Sequence, residues 1–312
     1  MRTPVKVGDE VGAREIEFRH GAWRLTGTVQ LPPVGMPRAA VAFVHGSGVA
    51  TRDVWRAMAE RMALAGVATL RYDKPGCGQS EGDWTAQGFE DRAHEALAAL
   101  QALSEQLSRP GPCIGLAGGS QGGWIVLLAA SLSPAVEFAV CFSAAGVSPA
   151  EQEAYRIAHQ LPADGLSTDE CESALAIFRR RLELMRAGAS AVEIWEHEAP
   201  FREERWYPLL GATTLSELEF DLRVYDFEAT TVLERVRCPI LAIWGERDLL
   251  VPVDASLAAF DAARNKTDRL EDELHVIVGA DHRLRQPGSD DIPAVVTDTT
   301  VSWITRICPP PH

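Results

Sequence analysis

Three short stretches of this chain carry residues that together could do nucleophilic chemistry. In Gly118-Gly119-Ser120-Gln121-Gly122, a serine sits among glycines between the apolar runs 113–117 and 124–130. That pattern reads as a strand, a very tight turn and a helix, in which small neighbours let strand and helix approach and the serine Oγ projects from the sheet edge. A serine hydroxyl near neutral pH is a weak nucleophile, so a base must take its proton and a carboxylate must orient that base. His282 follows the apolar run 273–278 within Gly279-Ala280-Asp281-His282, and Asp248 follows the run 239–244 within Gly245-Glu246-Arg247-Asp248. Glu246 and Asp254 compete with Asp248 as the acid, whereas Asp281 adjoins His282 and is badly placed to orient the same ring. Serine, acid and base in this chain order suit acyl transfer through a covalent intermediate.

Acyl transfer also needs two N–H donors aimed at the developing oxyanion. The Gln121 N–H, next after the serine, is one. The other is expected from His45-Gly46-Ser47-Gly48, which follows the apolar run 39–44, with Ser47 as first choice and Gly48 as second.

The elements that would hold these loops are legible from their patterning. Segments 13–20 and 22–31 alternate apolar and polar residues around His20-Gly21, the signature of an antiparallel hairpin. Segments 39–44, 67–72, 112–118, 136–145, 239–244 and 273–278 are apolar runs of strand length, separated by amphipathic helical patterns at 54–65 and 89–107 and followed by one at 292–307. Such alternation predicts an α/β fold around a mostly parallel sheet buried on both faces. The turn Asp73-Lys74-Pro75-Gly76-Cys77-Gly78-Gln79-Ser80 begins like a dinucleotide fingerprint, but position 81, where the third glycine would fall, is Glu81. It reads instead as a structural turn packed beside the serine.

Between 148 and 237 the pattern changes to helical segments, at 151–160, 168–187 and 191–197, with Thr168 as the cap of the longest and no strong β-run. The expectation is a helical cap, 148–237, inserted into a core formed by 1–147 and 238–312. Trp195, Trp206 and Tyr207, with Phe201, either line a pocket there or form the cap's own small core. His159, His197 and the glutamates at 193, 196 and 198 lack a metal-site spacing and read as a solvated helix face.

Over the 312 residues the formal charge is -14, which excludes the clustered basic surface that nucleic acid or an anionic membrane rewards and leaves small molecules as partners. The six cysteines show no C-x-x-C pair and three lie in or beside apolar runs, so they read as reduced thiols. No apolar h-region opens the chain and no run approaches the ~20 residues of a membrane span, so a cytoplasmic location is expected.

Taken together, HGSG at 45–48, GGSQGG at 118–123, GERD at 245–248 and GADH at 279–282 resemble the α/β-hydrolase superfamily in its serine esterase and peptidase branch. The resemblance spans nearly the whole chain outside the cap. DKPGCGQS looks like the D-x-R-G-x-G-x-S turn of those enzymes with Pro75 in place of arginine, and Gly119 stands where many esterases have histidine. The resemblance implies Ser120 as nucleophile, His282 as general base and then acid, Asp248 as orienter, and the N–H groups of Ser47 and Gln121 as oxyanion hole. No cofactor is implied, and the serine excludes the carboxylate-nucleophile chemistry of haloalkane dehalogenases and epoxide hydrolases. The expected reaction is two-step transfer of the acyl group of a small carboxylic ester, open-chain or lactone, to water, under a cap roofing a mostly apolar pocket. A small-peptide or amide hydrolase would use the same residues, and a ligand-binding protein on the same fold would need none of the three together.

Overall fold

Uninterrupted apolar runs make strands buried on both faces, and four of the eight strands here are buried at every residue. The computed structural model describes residues 12–107 and 111–308. Its strands are β1 (Ala13–His20), β2 (Trp23–Gln30), β3 (Ala39–Val44), β4 (Val67–Tyr72), β5 (Cys113–Gly119), β6 (Ala139–Phe142), β7 (Ile240–Gly245) and β8 (Glu273–Ile277). They form one sheet in the order β1-β2-β4-β3-β5-β6-β7-β8. The β1–β2 hairpin turns at Gly21 and joins β4 antiparallel through β2, while every pairing from β4 across to β8 is parallel. The two edge strands, β1 and β8, have no residue that is fully buried.

Side chains of a strand alternate between faces, and β3 sorts its own accordingly. Ala40, Ala42 and Val44 join the core beneath α2 (Phe89–Glu105) and α3 (Gln121–Leu132), against Ala93, Ala96, Trp124 and Ile125. Ala39, Val41 and Phe43 face α1 (Arg56–Leu64) and α10 (Ala294–Ile307), against Met58, Met62, Trp303 and Ile304. Helix α9 (Val253–Thr267) adds Phe260, edge-on to Trp244 of β7 at 5.1 Å.

Between β6 and β7 the chain runs through α4 (Pro149–Ala163), α5 (Thr168–Arg186), α6 (Ala191–His197), α7 (Leu215–Val224) and α8 (Ala229–Leu233). Ile157, Leu161, Phe178, Leu182, Ile194, Trp206 and Leu218 form a separate apolar cluster in this segment, whereas Phe220, Val224 and Leu233 belong to the core beneath the sheet. Inside the separate cluster lies a buried ion pair: Arg181 donates from Nε and Nη2 to both Glu198 oxygens, at 2.8 and 2.7 Å, and Tyr207 Oη donates to Glu198 at 2.9 Å.

Several local expectations need correction. The cap of α5 is Ser167, not Thr168: Ser167 Oγ accepts from Glu170 N and the Glu170 carboxylate accepts from Ser167 N at 2.7 Å, a capping box. Of 136–145 only Ala139–Phe142 pairs as strand, because Ser143 turns to φ 48°. The sequence pattern names no helix at α7, α8 or α9, although Thr214 with Glu217 carries the same capping signal as α5. Finally, two cysteines are not free thiols: Cys113, at the start of β5, is bridged to Cys308, just past α10, with a Cα–Cα separation of 5.7 Å. Cys77, Cys141, Cys171 and Cys238 are free.

Two stability outcomes follow from these contacts. Glu198→Ala leaves the buried Arg181 guanidinium uncompensated and is expected to cost about 3–5 kcal/mol; a urea midpoint equal to wild type would refute it. Reducing the Cys113–Cys308 bridge opens a loop spanning 195 residues, for which closure entropy gives about 5 kcal/mol at most. The melting temperature should therefore fall with dithiothreitol once alkylation and mass confirm full reduction.

Candidate active site

Ser120 occupies the turn between β5 and α3 with φ 54° and ψ -126°. A non-glycine residue there costs about 1–3 kcal/mol and persists only where its surroundings enforce it. Ser120 N donates to Phe142 O at 2.8 Å and Gly123 N donates to Ser120 O at 2.9 Å, which fixes both sides of the turn. The flanking glycines are required sterically, since a Cβ on Gly122 would lie 2.8 Å from the carbonyl oxygens of both Val44 and His45. At Gly119 a Cβ would come within 3.0 Å of Trp55, which stacks on Phe43 at 5.0 Å and fills the space that a side chain before the serine would use.

Asp248 and His282 meet across the loops after β7 and β8. His282 Nδ1 donates to Asp248 Oδ2 at 2.8 Å, and Asp248 Oδ1 accepts from Leu250 N and Val251 N at 2.8 and 2.9 Å. The Asp248 side chain is fully buried and that of His282 is 15% exposed, so the ring keeps one open side. The loops can meet because residue 245 is glycine: a Cβ there would lie 2.2 Å from Asp281 O. Asp281 itself accepts from Arg283 N and Arg285 N, bracing the turn that carries His282. Glu246 accepts from Gly279 N at 2.8 Å, and Asp254 is exposed at the start of α9, so of the three candidate carboxylates Asp248 is the one bonded to the ring. Among the described residues no hydrogen bond joins His282 to Ser120 Oγ; in sites without substrate such bonds are often long and tighten on binding.

Ser47, Gly48, Ser120 and Gln121 line one cavity of about 340 Å³. Among the described residues neither the Ser47 nor the Gln121 N–H donates to a protein group, which leaves both for an anion in that cavity. The loop carrying Ser47 is held by two buried basic side chains from elsewhere in the chain. Lys74 Nζ donates to Gly46 O at 2.9 Å and to Gly48 O at 2.8 Å, and lies 4.1 Å from the centre of the Trp84 ring. Arg92 donates to His45 O at 2.6 Å and to the Gln121 side-chain oxygen, so it grips both donor segments at once.

Burial, helped by the charge of Arg92, pushes Lys74 down to about 6, and burial also lowers Arg92. His45 is pushed by burial down to about 4, so the ring is neutral and its Nε2–H donates to Tyr72 O at 2.5 Å. The turn at 73–80 is structural, as its sequence suggests: Asp73 accepts from Arg52 N and Gln79 N. The contact of Lys74 with the Ser47 loop is not visible in that reading. The one clue is a lysine two residues past the strand 67–72.

Opposite Ser120 the cavity is closed by α4, α5 and α7. Trp195, Trp206 and Tyr207 do not line it. Trp206 and Tyr207 are buried in the separate cluster of that segment, and Trp195 packs against the same cluster with Arg202 over its ring at 3.6 Å. Trp84, Trp124, Phe178 and Phe220 supply the aromatic wall instead. The cavity wall is apolar over most of its surface, but Glu153, Arg156, Arg181, Glu217 and Asp221 also line it. Burial pushes the Asp221 carboxyl up to about 7, against the pull of Arg181. Among the described residues no His, Cys, Asp and Glu group has the arrangement of a metal site, and no helix is long and apolar enough to cross a membrane.

The chain is similar in fold to several solved structures. An alpha/beta hydrolase, GrgF, from Penicillium sp. sh18 superposes with a TM-score of 0.62 at 16% identity, over 94% of this chain and 98% of that one. An esterase of Pyrococcus furiosus gives a TM-score of 0.61 at 17% identity, over 97% and 96%. A dienelactone hydrolase from Anabaena variabilis gives 0.55 at 18%, over 95% and 98%. At these identities the likeness is one of fold, and no curated protein matches the sequence. Residues 41–294 match the model of the alpha/beta hydrolase family. That span takes in the serine turn, the loops bearing Asp248 and His282, and the parallel sheet beneath them, and by this match the chain belongs to the alpha/beta hydrolase family.

Proposed function

We propose that this chain is a serine hydrolase that cleaves a small carboxylic ester, open-chain or lactone, through an acyl-enzyme. What carries the reading is the bond from His282 to a buried Asp248, on the sheet edge that also bears the strained Ser120. In the first step His282 Nε2 takes the Ser120 proton as Oγ attacks the ester carbonyl, and Asp248 stabilises the imidazolium that results. The N–H groups of Ser47 and Gln121 stabilise the oxyanion, in a loop that Lys74 and Arg92 hold rigid. The imidazolium then protonates the leaving alcohol. In the second step His282 deprotonates a water that releases the acid and regenerates Ser120. None of these steps calls for a cofactor.

Helices α4 to α7 act as a cap over the substrate. Ester chemistry is favoured over amide chemistry by the company the fold keeps: the similar folds include an esterase, a dienelactone hydrolase, and the Butyrivibrio proteoclasticus protein Est1E with ferulic acid bound. The strong negative charge supports a small-molecule substrate rather than nucleic acid or an anionic membrane.

Ser120→Ala is expected to lower kcat on p-nitrophenyl esters by about 10⁴-fold and to abolish fluorophosphonate labelling, with Asp248→Asn losing less than His282→Ala. Higher kcat/KM on aminoacyl-anilides than on the ester panel would overturn the ester assignment. Lys74→Met, which frees the carbonyls of Gly46 and Gly48, should lower kcat by about 10–10²-fold with little change in KM, as misaligning an oxyanion donor does; a change confined to KM would assign the lysine to binding instead.

A further inference from the structure

The cavity opposite Ser120 carries a carboxylate that the protein itself leaves unanswered. Its two cations are already engaged. Arg156 donates to both Glu153 oxygens at 2.9 and 2.5 Å and to Gln160 at 3.2 Å, and Arg181 is spent on Glu198 and on Leu210 O at 3.2 Å. Glu217 is occupied at the start of α7, where it accepts from Thr213 N and Thr214 N at 2.9 and 3.0 Å. Asp221, one turn further along the same helix, accepts no side-chain hydrogen bond and joins no ion pair among the described residues, yet it faces the same cavity as Ser120. Arg181 acts on it through charge without a hydrogen bond, and Phe178, Leu182, Phe220 and Val224, which line the same cavity, carry no side-chain donor.

We infer that the cavity selects esters bearing an amine, whose ammonium group Asp221 receives across the cavity from Ser120. The inference rests on the ester-hydrolase reading of Ser120 and adds the substrate class. A half-buried carboxylate in a cavity wall with no hydrogen-bond partner gains most from a charged donor, and a substrate with a methyl at that point leaves it unpaired. Sites that hydrogen-bond a polar group reject the analogue lacking it far more strongly than apolar pockets reject a change of size. The charged groups facing Asp221 are Arg181 of α5, Glu198 after α6, Glu153 of α4 and Glu217 of its own helix. With its pKa near 7, the carboxyl is protonated below neutrality and ionised above it. The attraction for an ammonium should therefore strengthen as pH rises through that value.

The test compares kcat/KM for p-nitrophenyl 6-aminohexanoate and p-nitrophenyl heptanoate, which match in length and differ in ammonium against methyl. Wild type should favour the amine ester at least tenfold, more at pH 8 than at pH 6, a ratio from which any pH dependence common to both esters cancels. Asp221→Asn should reduce that ratio at least tenfold. If this variant does not fold, inhibition of the wild type serves in its place, with hexylamine expected to outcompete hexan-1-ol. Turnover of the heptanoate with a ratio at or below one overturns the amine inference and leaves the ester reading standing. No turnover of either ester, with Ser120 unlabelled by fluorophosphonate, removes the ester reading and this inference with it.

Discussion

Backbone passing against backbone, with no space for a side chain between, is the contact on which the rest of this molecule depends. Gly122 at the start of α3 sits against the carbonyls of Val44 and His45 at the end of β3. That approach brings the serine turn of one strand beside the glycine loop of its neighbour, so the N–H groups of Ser47 and Gln121 open into one cavity with Ser120. Any Cβ at 122 would force the two segments apart. The strained conformation of Ser120 belongs to the same constraint: a tight turn is what lets β5 end and α3 begin without displacing the loop next to it.

Such a junction exposes backbone carbonyls to the interior, and buried acceptors need donors. Lys74 and Arg92 answer that need, taking the carbonyls of residues 45, 46 and 48. Burial lowers both basic groups, and the charge of Arg92 lowers Lys74 further. Their cost is offset by the hydrogen bonds they donate, by the Trp84 ring under Lys74, and by the rigidity they confer on the loop.

The helices between β6 and β7 solve a second packing problem. They bury their own apolar cluster around the Arg181–Glu198 pair, while Phe220 and Val224 of α7 reach into the core beneath the sheet. The cavity lies where these two packings meet. Its wall is therefore mixed, with aromatic rings from both the sheet side and the inserted helices beside charged residues of α4, α5 and α7.

The sequence alone determines the sheet and the stretches that bear Ser120, Asp248 and His282, because each of those residues lies within a few positions of the end of a run whose composition and length identify a strand. Local patterns of that kind survive in one dimension. The tertiary structure alone decides which carboxylate meets the histidine, since Glu246, Asp248 and Asp254 all follow the same strand and the packing of Gly245 against Asp281 brings Asp248 to the ring. It alone pairs Cys113 with Cys308, buries Trp206 and Tyr207 away from the cavity, sends Lys74 to the loop of Ser47, and leaves Asp221 facing the cavity without a partner. These are contacts between residues far apart in sequence, and no periodicity encodes them, because they arise only when separate elements are brought within a few ångströms by the burial of their other faces.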